Sequence, residues 1–488
     1  MNPQHAKPSK LSPLVLLVAL GLAACGPQYR HFSPVLDVSP SNRLILNAHA
    51  NLRASFLLLD ALQTSETAAR FATARHQFMT ALSGVDPDSE VILLAAAKAA
   101  YRDKRVQDGL MLLERAQGLG YDSEALFAGH SEGLVDAGEY ALARELSFDA
   151  LDRYPGSTLL NAAADRAIDE DLHLIPKGAR RITANDADAL KALGGGSTVT
   201  LKLVVDGNNV AAIKPDQDLG QSMYRSEIAY YRLCTLLRCS FRVPYNEEVR
   251  FLRSDFNTLY GRVDSAKQRG YRAQFSHLTW RDEGDGEYLY ATAKEWVPAF
   301  TGFPIEASSS WSPLLDPGEH SQLATPASEW LSTLAAAAGE RGWNDHSKRV
   351  AFVEGLSTND LMRQLSDLVA TDFLTNNWDR FAGSPELYGA NCHIEAGGLV
   401  AIDNGAAFPP WHTDRVKRRL NYVHRFSKKY VSALRRLEYD PTLRRLFPNA
   451  NKDELKRFDI FWERRTDLLE YVDAVIAKHG EEAVLAFP

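Results

Sequence analysis

Four features stand in order along the chain, and their residue types are those that handle phosphate. A run of small residues, Gly194-Gly195-Gly196-Ser197, precedes Thr198 to Val205, whose β-branched residues and partial alternation predict a strand. Asp206-Gly-Asn-Asn209 signals a tight turn, and Val210-Ala-Ala-Ile-Lys214 is the returning strand, ending on a lysine. Glu227 follows on a segment whose Ile228, Tyr231, Leu233, Leu236 and Leu237 recur at helical spacing. Two Asp-centred stretches come last: Asn377-Trp-Asp-Arg380, and Ile402-Asp-Asn-Gly405 after the apolar strand Gly398 to Ile402. Glycines let a backbone close over phosphates, a strand lysine neutralises their charge, and a helix glutamate holds that lysine in place. One aspartate takes or orients the proton of the attacking group; the other binds a divalent cation. Singly these parts are ordinary: a glycine run is a loop, a strand lysine is a surface residue, and Asp-Asn-Gly is a turn. Their order along one chain points to phosphoryl transfer.

The same residues carry a family resemblance. The segments are Leu201-Lys-Leu-Val-Val205, Ala211-Ala-Ile-Lys-Pro215, Arg225 to Leu233, Phe241-Arg-Val-Pro244, Asp372 to Arg380 and Ile402 to Gly405. Together they resemble the secretory-pathway kinases, the Golgi casein kinase family with its sugar-kinase relatives, distant neighbours of HipA-like and phosphatidylinositol kinases. The match spans roughly residues 195–425. The resemblance implies an ATP- and Mg2+- or Mn2+-dependent kinase. Gly195 and Gly196 would cover the phosphates, and Lys214 and Glu227 would handle phosphate or metal. Asp379 would be the catalytic aspartate and Asp403 the metal ligand. Glu295-Trp-Val-Pro298 would form the hinge beside adenine, with Glu295 and Val297 at the nucleotide. The family's His-His-x-Glu after Asp-Arg is replaced by Phe381-Ala-Gly-Ser-Pro-Glu386, so Glu386 or Asn391 would supply the remaining metal ligand.

Positioning these residues takes elements of both kinds, and the expected fold is α+β. Helical patterning runs from about Leu44 to Glu170. Pro87, Tyr121 and Pro155 recur every 34 residues (121 − 87 and 155 − 121), and Gly138-Glu-Tyr-Ala-Leu-Ala143 followed by Ala150-Leu-Asp-Arg-Tyr-Pro155 resembles a tetratricopeptide repeat. Such stacks present a groove to protein partners. Strand patterning begins near Lys191, with further strands at Val249–Leu252 and Tyr288–Val297. Residues 301–328, rich in Ser, Pro and Gly, read as a long loop. Leu361, Leu365, Leu368, Val369 and Phe373 mark an amphipathic helix that leads to Asp379. The expected order is a signal peptide at 1–24, a tether at 25–45, helical repeats at 46–170 and a linker at 171–190. A kinase-like small lobe at 191–300 and a large lobe at 301–488 complete it.

Bulk composition narrows the partners. A net charge of -7 and a pI near 6.0 give no footprint for nucleic acid. Arg415 to Arg436 nevertheless holds nine Lys and Arg residues and no acid; it reads as a dock for an acidic substrate or an anionic glycan, or as a solvated face. His393 and His412 lie near the aspartate loops and carry no role in this reading. Four cysteines are too few for a disulfide scaffold, and which pair bonds among Cys234, Cys239 and Cys392 stays open. Two other functions fit the same residues: a non-catalytic scaffold with a pseudokinase domain, and a sugar or small-molecule kinase.

The N-terminus carries an address. Lys7 and Lys10 precede an apolar run from Leu11 to Ala24, too short to span a membrane but suited to a signal peptide. Leu22-Ala-Ala-Cys25 resembles a bacterial lipobox, which implies lipidation at Cys25; Gly26 after it favours the outer membrane. The expected location is the bacterial cell envelope, with the chain anchored by lipid and facing periplasm or surface. Cys25→Ser should leave the chain unprocessed and without fatty acid when cells are fed labelled palmitate; equal labelling of variant and wild type would refute the anchor.

Overall fold

The computed structural model describes residues 90–172, 179–193, 198–219, 223–318, 320–337, 346–381 and 392–488. The expected signal peptide and tether, Cys25, residues 46–89, Gly195, Gly196, Glu386 and Asn391 lie outside the described residues. The chain divides into two compact units, Met1–His173 and Leu174–Pro488.

The first unit is helical throughout its described span. It comprises α1 (Glu90–Arg102), α2 (Val106–Gly118), α3 (Glu124–Ala137), α4 (Tyr140–Arg153) and α5 (Thr158–Asp171). Helix starts recur at 34 residues (124 − 90, 140 − 106 and 158 − 124). The caps recur with them. Ser123 accepts from Leu126 N at 3.1 Å to start α3, and Ser157 accepts from Leu160 N at 3.1 Å to start α5. Each hydroxyl also donates to the glutamate that opens the helix one period earlier, Ser123 to Glu90 and Ser157 to Glu124. Small residues allow the close crossings: a Cβ added at Gly109 or Gly133 would stand 2.2 or 2.4 Å from the Tyr101 ring.

The second unit mixes sheet and helix. Its larger sheet runs β1 (Arg180–Ile182), β5 (Asn246–Leu252), β7 (Glu287–Glu295), β4 (Asn208–Pro215), β3 (Leu201–Val205), β2 (Ala189–Ala192), with β6 (Trp280–Asp282) also on β7. β1 and β5 are parallel and the other pairs antiparallel. The β3–β4 turn has φ of 49° at Asp206 and 76° at Gly207, a left-handed pair that suits the sheet's twist. Alternation then divides the sheet's faces. Leu201, Leu203, Ala211, Ile213, Val249, Phe251, Leu289, Ala291 and Ala293 build one core, together with Phe256, Leu259 and Tyr260 from α7 (Arg253–Gly261), which follows α6 (Tyr224–Leu237). The opposite face carries Lys214, Thr292, Lys294 and Asn246, brought side by side by the register Lys214↔Thr292, Ala212↔Lys294 and Asn246↔Lys294.

Helix α6 (Tyr224–Leu237) brings Glu227 to this polar face and ties the sheet to the helical part. Tyr224 donates to Glu248 at 2.8 Å, Tyr230 to Asp372 at 2.9 Å, and Arg225 to Glu454 at 2.8 Å. Helix α8 (Thr358–Leu374) is the buried axis of the helical part: Leu361, Leu365, Leu368 and Val369 have no exposure, and Phe373 has 2%. A small sheet of β8 (Thr301–Gly302), β9 (His393–Glu395) and β10 (Gly398–Val400) lies beside it. Gln364 of α8 fixes the hairpin, donating to Gly397 O at 3.1 Å and accepting from Leu399 N at 2.7 Å.

Several expectations are corrected. Residues 171–190, expected as a linker, hold β1 and the start of β2, which form the two ends of the larger sheet. Residues 301–328 are not a bare loop: they contain β8 and short helical turns, and they bury Phe303, Ile305 and Trp311, whose indole donates to Ile305 O at 2.9 Å. The last strand of the larger sheet stops at Glu295, and β3 begins at Leu201. Cys234 bonds Cys239 and Cys392 is a buried free thiol.

Beside that disulfide, Asp367 of α8 accepts from the amide and hydroxyl of Ser240 at 3.0 and 2.6 Å. Burial pushes its carboxyl up to about 7, against the pull of those bonds. A carboxyl raised in the folded state stabilises fully below its unfolded pKa and loses that contribution as pH rises through the folded value. Unfolding by urea should therefore show stability falling, by on the order of a few kcal/mol, between about pH 4 and pH 7. Asp367→Asn keeps an acceptor for Ser240 and should flatten that slope; an unchanged slope would remove Asp367 as its cause.

Candidate active site

Lys214, one residue before the end of β4, lies on the sheet's polar face and has 4% exposure. Its ammonium donates to Glu227 Oε1 at 3.1 Å and to Asp403 Oδ1 at 2.6 Å. Glu227 is fully buried, and its Oε2 accepts from Lys294 at 3.1 Å and from Asn404 N at 2.9 Å. Two ammonium groups and two carboxylates thus meet in one cluster with a net charge of zero, three of them shut away from water. Burial opposes the charge of Lys214, but Asp403 and Glu227 outweigh it and hold the lysine above its usual range. Burial likewise works to raise Glu227, and Lys294 and Lys214 overcome it, so the carboxylate sits below its ordinary value.

Asp403 differs from its partners in one respect: its side chain is 55% exposed. Lys214 draws its pKa well below the usual carboxylate range, so it is ionised at any physiological pH. Its backbone is in the left-handed region at φ 58°, a conformation that costs a non-glycine residue on the order of 1 kcal/mol and is best tolerated by Asp and Asn. The surrounding loop over-determines it. Ala401 N donates to Arg242 O at 2.8 Å, Arg380 donates to Ile402 O at 3.0 Å, Met223 N to Gly405 O at 3.0 Å, and Phe408 N to Thr375 O at 2.6 Å.

Asp379 lies in a helical turn, Trp378–Phe381, shortly after α8. It is half-buried, and its pKa is raised first by burial and then by the charge of Asp403, which places the two carboxylates within electrostatic reach. Arg380, Lys214 and Arg415 pull the other way. The turn is held by its neighbour. Arg380, 1% exposed, donates to Asp372 Oδ2 at 3.0 Å and to Asn404 Oδ1, and Asp372 also accepts from Tyr230 at 2.9 Å and Asn377 at 3.2 Å. One buried guanidinium therefore fixes both aspartate loops to α6 and α8.

Lys214 is in direct contact with both Glu227 and Asp403, and Asp379 lies within electrostatic reach of Asp403 and Lys214. Glu295 is not in the cluster. It ends β7 with a 47% exposed side chain paired to Arg242 at 2.8 Å, while its amide donates to Tyr245 O at 2.9 Å. Val297 is buried two residues on. Sequence reasoning missed Lys294, Arg380 and Asp372 as site-building residues. Lys294 did have a signal: Leu289, Ala291 and Ala293 alternate with Tyr290, Thr292 and Lys294, which puts the lysine on the face opposite the core. His393 of β9, 9% exposed, packs its ring 4.6 Å from Phe300 and leaves Nδ1 buried with no hydrogen-bond partner. Burial and Arg380 lower its pKa to about 4, so the ring is neutral at pH 7.

No family model and no curated protein matches the chain. Among solved structures it is similar to a crystal structure of the Golgi casein kinase and to one of the Golgi casein kinase with Mn and ADP bound. Each is 13% identical with a TM-score of 0.38, over 66% of this chain and 79% of that chain.

The Arg380–Asp372 pair is the joint on which both loops hang, and both side chains are fully buried. Arg380→Met strands the Asp372 carboxylate and should cost about 3–5 kcal/mol in urea denaturation. A loss under about 1 kcal/mol, the worth of an exposed pair, would show that the joint carries little.

Proposed function

We propose that the second unit is an ATP-dependent phosphotransferase that works with Mg2+ or Mn2+ on a hydroxyl acceptor, a protein or envelope component, outside the cytoplasm. In this reading Cys25 anchors the chain by lipid to the envelope, and the helical repeats of the first unit engage a protein partner. The observation that carries the catalytic reading is the Lys214–Glu227–Asp403 cluster, with its one exposed carboxylate within electrostatic reach of Asp379.

The donor set suits a hard cation. Among the described residues no group of three His, Cys, Asp or Glu could enclose a metal ion. The exposed carboxylate of Asp403 would hold an ion that keeps waters and takes phosphate oxygens, with Glu386 or Asn391, outside the described residues, as the expected further ligand. Bound there, such an ion would neutralise charge on the β- and γ-phosphates. The chain's own residues do the rest. Lys214 offers its ammonium to phosphate oxygens, and Glu227 fixes where that ammonium can sit. Asp379 accepts the hydrogen bond of the acceptor hydroxyl, and its raised pKa suits it to take the proton. The acceptor oxygen then attacks the γ-phosphorus and ADP departs. Little covalent work is asked of the protein, because positioning and charge stabilisation dominate this reaction. Arg415 is exposed with Lys417 and Arg418 on α9 (Asp414–Leu420), and its charge reaches Asp379, which favours an acceptor that carries negative charge.

The test is transfer of labelled phosphate from ATP, with Mg2+ or Mn2+, to protein and sugar acceptors. Asp379→Asn should bind ATP about as well as wild type yet transfer ~10²–10⁴-fold more slowly. Full transfer by the variant would remove Asp379 from the step. No transfer by wild type to any acceptor would leave the non-catalytic scaffold.

A further inference from the structure

The phosphotransferase reading uses Lys214, Glu227, Asp379 and Asp403 and leaves the second ammonium of their cluster unexplained. Lys294 has 8% exposure, and its ion-pair partner among the described residues is Glu227, at 3.1 Å. It comes from β7, whereas Lys214 comes from β4, and the two approach opposite oxygens of one carboxylate. A single lysine held by a single glutamate would satisfy that reading.

The need for a second ammonium follows from what must move. Lys214 and Asp403 are 2.6 Å apart and neutralise each other. For Asp403 to accept a divalent cation and Lys214 to reach a phosphate, that contact has to open, since two cations repel across one carboxylate oxygen. Lys214 then spends part of its charge on the phosphates, and Glu227 loses part of its own neutralisation. Glu227 has no solvent to replace it. A buried carboxylate without a counter-ion leaves its place or forces its surroundings apart. Either outcome would release Asn404 N, which Glu227 accepts at 2.9 Å, and with it the residue next to Asp403. Lys294 prevents this, because its strand is held on both sides, opposite Ala212 of β4 and Asn246 of β5.

We infer that Lys294 is a positioning residue, the standing counter-ion of Glu227, which lets Lys214 turn from its carboxylate partners to the phosphates of a bound nucleotide while Glu227 keeps its place against Asn404 N. The inference rests on the phosphotransferase reading.

Calorimetric titration of ADP with Mn2+ into the full chain tests it, with folded preparations matched by circular dichroism. The set is wild type, Lys294→Met, Glu227→Gln and Lys294→Met/Glu227→Gln. Lys294→Met should weaken nucleotide binding at least about tenfold. The double variant should bind within about threefold of Glu227→Gln, because a neutral side chain at 227 needs no counter-ion. A merely structural lysine would lower the melting temperature and leave affinity per folded molecule unchanged. A lysine that touched phosphate directly would leave the double variant as weak, relative to Glu227→Gln, as Lys294→Met is relative to wild type. Either of those results overturns the inference while the nucleotide site stands. Should Lys294→Met fail to fold, the double variant exchanges a neutral ion pair for a neutral pair and decides alone, against Glu227→Gln. No binding by wild type overturns both the inference and the reading beneath it.

Discussion

A glutamate shut away from water makes demands on everything around it. Glu227 stays ionised only because two ammonium groups and an amide converge on it, and those three donors come from β4, β7 and the loop after β10. Four stretches of chain, as far apart in sequence as residues 214 and 404, must therefore arrive at one point. The sheet register that sets Lys294 opposite Ala212, the helix that aims Glu227 and the left-handed backbone at Asp403 are answers to that demand. Replacing the cluster by apolar side chains of similar volume is often neutral for stability. What ion pairs of this kind secure is placement, and here the placement exposes a single carboxylate.

A second buried charge does for the loops what Glu227 does for the sheet. Arg380 binds Asp372 on α8, the carbonyl of Ile402 and the side chain of Asn404, while Tyr230 of α6 reaches the same Asp372. Asn404 belongs to both networks, giving its amide to Glu227 and its side-chain oxygen to Arg380. The half-buried Asp379 and the exposed Asp403 are thus side products of two rigid joints that share one residue.

The sequence was most readable where local pattern and chemistry coincide. The strand–turn–strand that ends on Lys214 and the helix that carries Glu227 follow from alternation, turn residues and helical spacing. The helix before Asp379 was legible for the same reason, since its apolar spacing is long and regular. Short edges were not. β1 has three residues and β2 four, too few for a period to show. Between Thr301 and Ser328 the density of Ser, Pro and Gly concealed a buried Trp311 that only tertiary packing reveals. The disulfide needed coordinates as well, because spacing cannot choose among three cysteines when one of them is buried elsewhere. Lys294 was visible in the alternation of β7, but nothing local says that a lysine on a polar face meets a glutamate from another element.

The 34-residue recurrence of helix starts in the first unit implies that its length is quantised. Each capping serine bonds a glutamate one full period upstream, so every period carries both the hook and the eye of the next. A segment of 34 residues, inserted or removed in phase, would reproduce the same joint at the new boundary, and its free energy would add as one more link in a chain of nearest neighbours. A segment of half that length would exchange the two helix types, leaving each serine to face a helix that does not open on a glutamate. This unit therefore keeps its serine–glutamate joints only when it is lengthened or shortened in whole periods.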